Sequence, residues 1–275
     1  MFQSEQRSRP SLARAAGTIL VLVFHNTVRS IRSGHRDAVM AIVMNLLQMV
    51  LMIGIFFFVM DMLGGRRVAV RGDFLLYVMS GIFVFMTHVK ALGAVSGAEG
   101  PVSPMMQHLP MTPLISIVSA ALGAIYVQFL SMAFLLTIYH LVWQPISIAD
   151  PIGAIMMLLL AWFSGCCFGL VFGAVKPWLP TATGMLQMVY QRIQMFASGK
   201  MFLANSLPTK MFVIFAWNPL FHIIDQGRGY VFENYNPLRT SIEYPLTVSL
   251  IAGAIGILGL SYTNRFVSLS WSAGR

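Results

Sequence analysis

Charged residues are scarce in this chain. They make up only 10% of its 275 residues, whereas hydrophobic residues make up 57%. A soluble domain carries about 25% charged residues, so this composition excludes an ordinary soluble globular protein. The nine acidic residues form no carboxylate pair, and the sequence has no H-E-x-x-H motif and no nucleophile with a neighbouring base. These absences argue against an integral-membrane enzyme.

Cysteine is almost missing as well. The only two cysteines, Cys166 and Cys167, are adjacent, so they cannot join distant parts of the chain and leave no zinc-binding spacing. No metal site and no cofactor are therefore predicted in this chain. The ATP-binding motif G-x-x-x-x-G-K-[ST] is also absent, which excludes ATP hydrolysis by the chain itself. The net charge of +9 comes from basic residues that lie largely between apolar segments, so nucleic-acid binding is not expected.

The sequence contains several long apolar runs. Six of these runs approach the ~20 residues needed to cross a hydrocarbon core about 30 Å thick. We therefore predict an all-α integral membrane protein with six transmembrane helices. The predicted spans are 38–60, 74–92, 114–141, 152–175, 182–203 and 245–266.

The segment ahead of the first span is basic and has a short apolar core at 19–24. This pattern predicts an amphipathic helix on the membrane surface, and a disordered basic tail is the alternative. Because basic residues flanking the first span dominate orientation, the amino terminus is expected in the cytoplasm. Six spans then return the carboxyl terminus to the same side.

Glycines recur along two of the predicted spans. Small residues on one helical face let another backbone approach closely. The pattern therefore predicts packing seams, either within one protomer or against a second subunit. The glycines are Gly165, Gly169 and Gly173 in the fourth span and Gly253, Gly256 and Gly259 in the last.

One stretch, 195–228, interrupts the apolar pattern with turn-forming and charged residues, among them Ser198, Gly199 and Lys200. Non-helical backbone at membrane depth persists only where it is buried in protein or lines a wet cavity. We therefore predict a helix that enters the membrane, breaks and returns, next to a translocation path. Within this stretch Asp225 and Arg228 are three residues apart, a spacing that predicts a local ion pair, and His222 is expected to be structural.

Side chains suited to binding sugars lie in the fifth predicted span. Aromatic faces and hydrogen-bonding groups bind sugars, and cations bind acidic ones. An ionisable residue within a span usually faces a cavity or a partner, although Arg192 could instead extend towards the cytoplasmic interface. The candidate path residues are Tyr190, Arg192, Gln194, Phe196 and Lys200.

Between the second and third spans, prolines bracket the short segment MMQHL. A short, proline-capped, Met-rich element suits insertion into a groove of another protein, and a plain loop is the alternative. The residues predicted to couple to a partner are Pro101, Met105, Met106, His108, Leu109 and Pro110.

Three pieces together resemble ABC-2 type permeases, and within that family the capsular polysaccharide exporters, which also resemble O-antigen exporters. They are the proline-flanked element, RIQMFASG at 192–199 and WNPLFHIIDQGR at 217–228. The family has its re-entrant helices, between the fifth and sixth spans, at the last of these pieces. Lys200 departs from the apolar residue expected after the Ser-Gly break. The residues that match the re-entrant motif are Trp217, Asn218, Pro219, Leu220, His222, Asp225 and Arg228.

The resemblance implies a permease subunit that exports a capsule-type, lipid-linked polysaccharide across the bacterial inner membrane. Two copies would form the channel, and a separate ATPase subunit would hold ATP and Mg²⁺. Periplasmic or outer-membrane export proteins are further expected partners. The alternatives are export of O-antigen, a teichoic-acid-like polymer, a lipid or a drug.

The resemblance also divides the chain into regions. These are a cytoplasmic amphipathic segment at 1–37, a six-helix domain at 38–266 and a cytoplasmic tail at 267–275. Within the domain, the coupling element is expected at about 98–113 and the re-entrant region at about 204–243.

Overall fold

The computed structural model describes residues 12–33, 38–62, 73–98 and 112–266. These residues form nine α-helices and one short 3₁₀ turn, and no strand occurs among them, as the all-α prediction requires. The helices are α1 (Leu12–Ser33), α2 (Ala38–Met62), α3 (Phe74–Gly97), α4 (Pro113–Val142), α5 (Pro151–Val175), α6 (Pro180–Ala197), α7 (Thr209–Phe215), α8 (Pro219–Val231) and α9 (Glu243–Phe266), with the 3₁₀ turn at Ala204–Ser206.

Five of these helices, α2, α3, α4, α5 and α9, are long and apolar enough to cross a membrane. They coincide with five of the six predicted spans. The remaining predicted span, 182–203, corresponds to α6, which has 18 residues and ends at Ala197. A helix of that length extends about 27 Å, slightly less than a hydrocarbon core of about 30 Å. Its glutamines and Arg192 also lower its apolar character.

Helix starts follow the positions of acids, amides and prolines. Asp73 accepts a hydrogen bond from the Leu75 backbone N–H at 3.1 Å and so caps α3. Asp150 accepts from the backbone N–H groups of Ile152 and Gly153 at 3.0 and 3.1 Å and caps α5. Such side chains satisfy backbone donors that have no partner inside the helix. Each cap therefore sets where its helix begins.

Helix α5 lies between α3 and α9, and the two predicted glycine seams bring these helices together. A methyl group at Gly169 would lie 2.8 Å from Val95 of α3, and one at Gly256 would lie 2.5 Å from Leu170 of α5. Distances this short mean that only glycine permits the observed approach of the backbones. The seams are therefore contacts within one protomer, which was one of the two alternatives.

Replacing Gly165 with alanine should destabilise the protein. A methyl group there would collide with the His88 carbonyl oxygen and the Ala91 side chain of α3. Forcing the two backbones apart should cost about 1–3 kcal/mol of unfolding free energy, measured by thermal unfolding of the purified protein in detergent. Gly173→Ala is the matched control, because nothing lies within 3.8 Å of a methyl group at that position. Equal losses in the two variants would contradict this packing.

The amino-terminal segment is helical over Leu12–Ser33, which favours the predicted helix over a disordered tail. Helix α1 runs along α4, where the Ser119 hydroxyl donates to the Val23 carbonyl oxygen at 3.2 Å. Leu20 and Phe24 of the same helix are exposed. An exposed apolar side suits contact with a membrane surface, which stays a prediction.

Two predicted regions fall outside the described residues. They are the carboxyl-terminal tail and the coupling element, so its docking role stays a prediction. The coupling residues concerned are Pro101, Met105, Met106, His108, Leu109 and Pro110.

Candidate functional site: a buried polar cluster at the break after α6

Helix α6 ends where the sequence predicts a break. The Ser198 backbone N–H still donates to the Gln194 carbonyl oxygen at 3.2 Å, but Gly199 then adopts a left-handed conformation with φ of 73°. Only glycine visits this region at no steric cost. A side chain at Gly199 would also collide with the ring of Phe221. The chain therefore leaves the helix at a position that requires glycine.

Arg228 of α8 fastens the backbone that follows this break. Its guanidinium donates to the carbonyl oxygens of Gly199 at 2.9 Å, Phe202 at 2.9 Å and Lys200 at 2.5 Å. The same group lies 4.1 Å from the ring centre of Tyr77 on α3, and the Arg228 side chain is only 1% exposed. Carbonyl groups beyond a helix end need partners when they are buried. The Arg228 side chain donates hydrogen bonds to all three carbonyl oxygens.

Asp225, one turn earlier on α8, forms hydrogen bonds with the 3₁₀ turn and with the loop before α9. Its carboxylate accepts from the Ala204 backbone N–H at 3.0 Å, from the Tyr235 hydroxyl at 2.5 Å and from the Thr240 hydroxyl at 2.8 Å. Burial, together with the negative charge of Asp225, raises the pKa of Tyr235 above its ordinary value. Tyr235 therefore stays protonated and acts as a donor. Asp225 holds the 3₁₀ turn and the loop before α9 against α8.

The predicted ion pair between Asp225 and Arg228 is wrong. Within the described part of the chain the carboxylate bonds to three donors from elsewhere, and the guanidinium bonds to three carbonyl oxygens. The spacing of three residues does place both on α8, but each is better satisfied by backbone and hydroxyl groups that need a partner. The two residues position the segments around α8 instead of pairing with each other.

The remaining residues of the WNPLFHIIDQGR segment divide into positioning and exposed ones. Asn218 caps α8 by accepting from the Leu220 backbone N–H at 3.1 Å, and its amide donates to Gln194 at 2.6 Å and to the Ala197 carbonyl oxygen at 2.9 Å. His222 bonds to the backbone of Ala216 and Ser241 at 3.0 and 3.2 Å, which agrees with a structural role. Pro219 occupies the first turn of α8, and Trp217 is 80% exposed.

One side of α6 contacts the rest of the protomer through polar groups. Gln187 accepts from the Ser96 hydroxyl at 2.8 Å, and Tyr190 bonds to His88 at 3.0 Å. Gln194 donates to the Tyr190 hydroxyl at 2.9 Å and so connects this row to Asn218. Spacings of three and four residues put such side chains on one helical face. Helix α6 is therefore tied to α3 and α8 by a row of hydrogen bonds.

The five predicted path residues do not share one surface of the protomer. Tyr190 and Gln194 belong to the hydrogen-bonded row, and Lys200 is only 3% exposed. Arg192 and Phe196 lie on the opposite, exposed side of α6, where Phe196 is 65% exposed. Whether any of them contacts a substrate stays a prediction.

Lys200 has an unusual environment. Its ammonium group lies 3.6 Å from the ring centre of Phe85 on α3 and 4.3 Å from that of Phe56 on α2. It has no hydrogen-bond partner among the residues that the structure describes. The departure from an apolar residue noted in the sequence thus corresponds to a buried lysine whose amine lies between two aromatic rings.

Several members of this cluster were not predicted from the sequence. Tyr77 and His88 are polar residues inside the apolar run of α3, and that signal could have indicated them. Tyr235 and Thr240 lie in the loop before α9, where no pattern distinguishes them from other loop residues. In the described ranges, no three His, Cys, Asp or Glu side chains come together as metal ligands would.

Comparison with curated proteins finds two relatives from Escherichia coli, both named polysialic acid transport protein KpsM. One is 24% identical over 185 residues, which cover 67% of this chain and 70% of the relative. The other is 22% identical over 213 residues, which cover 76% of this chain and 79% of the relative. The chain resembles a polysaccharide export permease. The resemblance inferred from the short motifs is thereby confirmed over most of the chain, although no protein-family model matches it.

Proposed function

We propose that this chain is the membrane permease subunit of an ATP-driven ABC exporter that moves a capsule-type polysaccharide across the bacterial inner membrane. The observation that carries the proposal is the similarity to the polysialic acid transport proteins over two thirds or more of both chains. The five apolar helices suit a multi-pass membrane protein. A transport subunit needs no catalytic residues of its own, so ATP hydrolysis belongs to a partner.

Helix α6 is the sixth crossing in this proposal, and α7 and α8 form a hairpin that re-enters the outer side of the membrane. Polar backbone at such a depth requires partners inside the protein. Arg228 and Asp225 provide them, since both side chains are at least 98% buried and bond to the segment before α7 and to the loop after α8. Six crossings return the carboxyl terminus to the cytoplasmic side, where the amino terminus begins.

Two copies of the chain form the conduit. The outward side of α6 exposes Met188, Ile193 and Phe196 by 58–67%, and Arg192 lies among them. An arginine surrounded by exposed apolar side chains is costly against lipid alone and is better placed at a protein surface or an aqueous path. A second copy facing this side supplies that environment and accounts for Arg192 and Phe196 as path residues.

The amino-terminal helix and the coupling residues 101–110 face the ATPase in this arrangement. ATP-driven closure of two motor subunits moves these elements and tilts the spans, which changes the side on which the conduit is open. For the ATPase to move them, both elements must lie on the cytoplasmic side of the membrane.

A cysteine in place of Leu238 tests the topology. Leu238 is 78% exposed in the loop between α8 and α9, so its substitution should disturb little packing. With Cys166 and Cys167 replaced by alanine, the new thiol should react with a membrane-impermeant maleimide added to intact spheroplasts. Val142→Cys, at the exposed end of α4 on the same predicted side, is the positive control. Labelling only after the membrane is opened would reverse the proposed orientation.

Deletion of the gene tests the function itself. The host should lose polysaccharide from its surface and retain the polymer inside the cell, visible by staining of thin sections. Expression of the intact chain from a plasmid should restore surface polymer. Unchanged surface polymer in the deletion strain would overturn the proposal.

A further inference from the structure

A cavity of about 240 Å³ lies between α3, α4, α5 and α8. Of the side chains that line it, only that of Ser80 carries a polar group, and its hydroxyl already donates to the Tyr77 carbonyl oxygen at 2.9 Å. Water stays in a cavity only where several polar groups can bond to it, so the expected occupant is apolar. The larger lining side chains are those of Phe83, Phe129, Leu136, Ile155, Leu158 and Ile224.

The cavity separates α4 from α5 on the side of the loop that joins them. Farther from this loop, the Trp162 indole N–H of α5 donates to the Ala121 carbonyl oxygen of α4 at 2.9 Å and holds the two helices together. Phe129 of α4 and Ile155 of α5 both line the cavity, and they are 46% and 44% exposed. The cavity therefore opens on the outside of the protomer and continues the apolar surface that α4 and α5 would present to a membrane.

The length of the cavity matches one leaflet of a bilayer. Its lining runs from Leu76 to Val84 on α3 and from Pro151 to Leu158 on α5. At 1.5 Å per residue these stretches extend about 12 Å and about 10 Å along the helix axes. The hydrocarbon part of one leaflet is about 15 Å thick, and its only long apolar chains are acyl chains. An acyl chain that enters between α4 and α5 would thus reach α3 and α8.

The charges beside the cavity favour a lipid whose headgroup carries an ammonium. Residues 113–175, which form α4, α5 and the loop between them, contain no Lys or Arg, and Asp150 is their one acid. Asp150 is exposed and lies in the chain between the lining residues Ile148 and Pro151. Both of its hydrogen bonds to the start of α5 use the Oδ1 atom, so the Oδ2 atom can accept a hydrogen bond from a ligand. Such a bond to an ammonium is charge-assisted.

We propose that one acyl chain of a phosphatidylethanolamine molecule from the surrounding bilayer occupies this cavity, with its headgroup ammonium at Asp150. The inference requires the membrane insertion of the proposed function but concerns a resident lipid and not the cargo, since the described lining contains no residue of α6. Helix α8 contributes Ile224, Gly227 and Val231, which share one helical face. The acyl chain therefore supports the helix that carries Arg228.

Photolabelling of the purified full-length protein in nanodiscs tests the proposal. The probes are phosphatidylethanolamine and phosphatidylglycerol, each with a diazirine in the middle of one acyl chain, and labelled residues are located by mass spectrometry. The ethanolamine probe should label Leu136 and Leu158 at least about fivefold more than Ile251 and Ile255 on the exposed face of α9, because a bound chain occupies its site for a larger fraction of the time. The glycerol probe should show much less of this excess.

Four variants separate the parts of the proposal. Ala154→Phe and Ala133→Phe fill the cavity from α5 and α4, and each should abolish the excess labelling. Ala254→Phe is the matched control, because the same change at an exposed position of α9 should leave the excess intact. Asp150→Asn preserves the cap of α5, since asparagine caps a helix as well as aspartate does. It should remove the difference between the two probes.

Three labelling results would overturn the proposal: equal labelling of the cavity and of α9 in the wild type, excess labelling that persists in both cavity-filling variants, or equal labelling by the two probes in the wild type. A disulfide-linked dimer of Ile155→Cys, with Cys166 and Cys167 replaced by alanine, would also overturn it, because a second copy would then cover the opening. The measurement uses neither cargo nor ATPase. Its failure therefore leaves the transport function intact, which deletion of the gene tests separately.

Discussion

Arg228→Met is expected to lower the unfolding free energy by about 3–5 kcal/mol, the cost of breaking a buried charged network. The substitution leaves the carbonyl oxygens of Gly199, Lys200 and Phe202 buried without their donor. It also leaves Asp225 as a buried anion in a region that has lost one of its cations. Thermal unfolding of the purified protein in detergent should show a decrease of about 10 °C or more in the midpoint.

Arg239→Met is the matched control for this prediction. Arg239 also donates to a carbonyl oxygen, that of Leu207 at 2.8 Å, and lies 4.2 Å from the ring centre of Phe212, but it is only partly buried. Its loss should cost about 1 kcal/mol. Arg228→Lys should behave like Arg228→Met, because a single ammonium cannot reproduce the planar fork that reaches three oxygens. A loss at Arg228 no larger than that at Arg239 would contradict its role at the break.

Asp225→Ala is expected to have the second largest effect, a loss of about 3 kcal/mol or more. Three donors would remain buried without an acceptor, namely the Ala204 backbone N–H and the hydroxyls of Tyr235 and Thr240. The loop before α9 should then detach from α8. Hydrogen exchange should detect this as faster exchange confined to the residues around Ala204 and Tyr235.

Asp225→Asn and Glu233→Ala separate the contributions to this effect. Asparagine keeps an acceptor oxygen but removes the negative charge that the three donors face, so an intermediate loss is expected. Glu233 is exposed two residues after α8, and its replacement should change stability by less than about 0.5 kcal/mol. Wild-type stability in Asp225→Ala would refute the role of this carboxylate in holding the 3₁₀ turn and the loop before α9 against α8.

Features that depend on local pattern could be predicted from the sequence. Apolar runs of sufficient length indicated the five helices that are long and apolar enough to cross a membrane, because length and hydropathy are local properties. Glycines at four-residue intervals indicated close helix packing, and the contacts of Gly165 and Gly169 with α3 agree. Ser198 and Gly199 indicated the end of α6, because the left-handed backbone there requires glycine.

Features that depend on distant partners could not be predicted in the same way. The spacing of Asp225 and Arg228 suggested a pair, but their partners come from segments 10 to 29 residues away in the chain. Nothing in the sequence places Lys200 between Phe56 and Phe85, since those rings belong to two other helices. The side of α6 that faces the protomer likewise depends on His88 and Ser96 of α3.

This difference explains why the candidate path residues separated. Periodicity along α6 puts Tyr190 and Gln194 on one face and Arg192 and Phe196 on another. The polar face is used for hydrogen bonds within the protomer, so the exposed face is the one left for a second copy or a conduit. We therefore expect substitutions at Arg192 to affect export more than stability, and substitutions at Gln194 to affect both.

Polymer movement into inverted inner-membrane vesicles tests the central claim most directly. Vesicles from a host that expresses the chain together with its ATPase subunit should take up radiolabelled polysaccharide only when ATP is added. Vesicles that carry Arg228→Met, compared at equal amounts of membrane-inserted protein, should take up much less. Uptake that does not depend on ATP, or that persists in vesicles lacking this chain, would contradict the account.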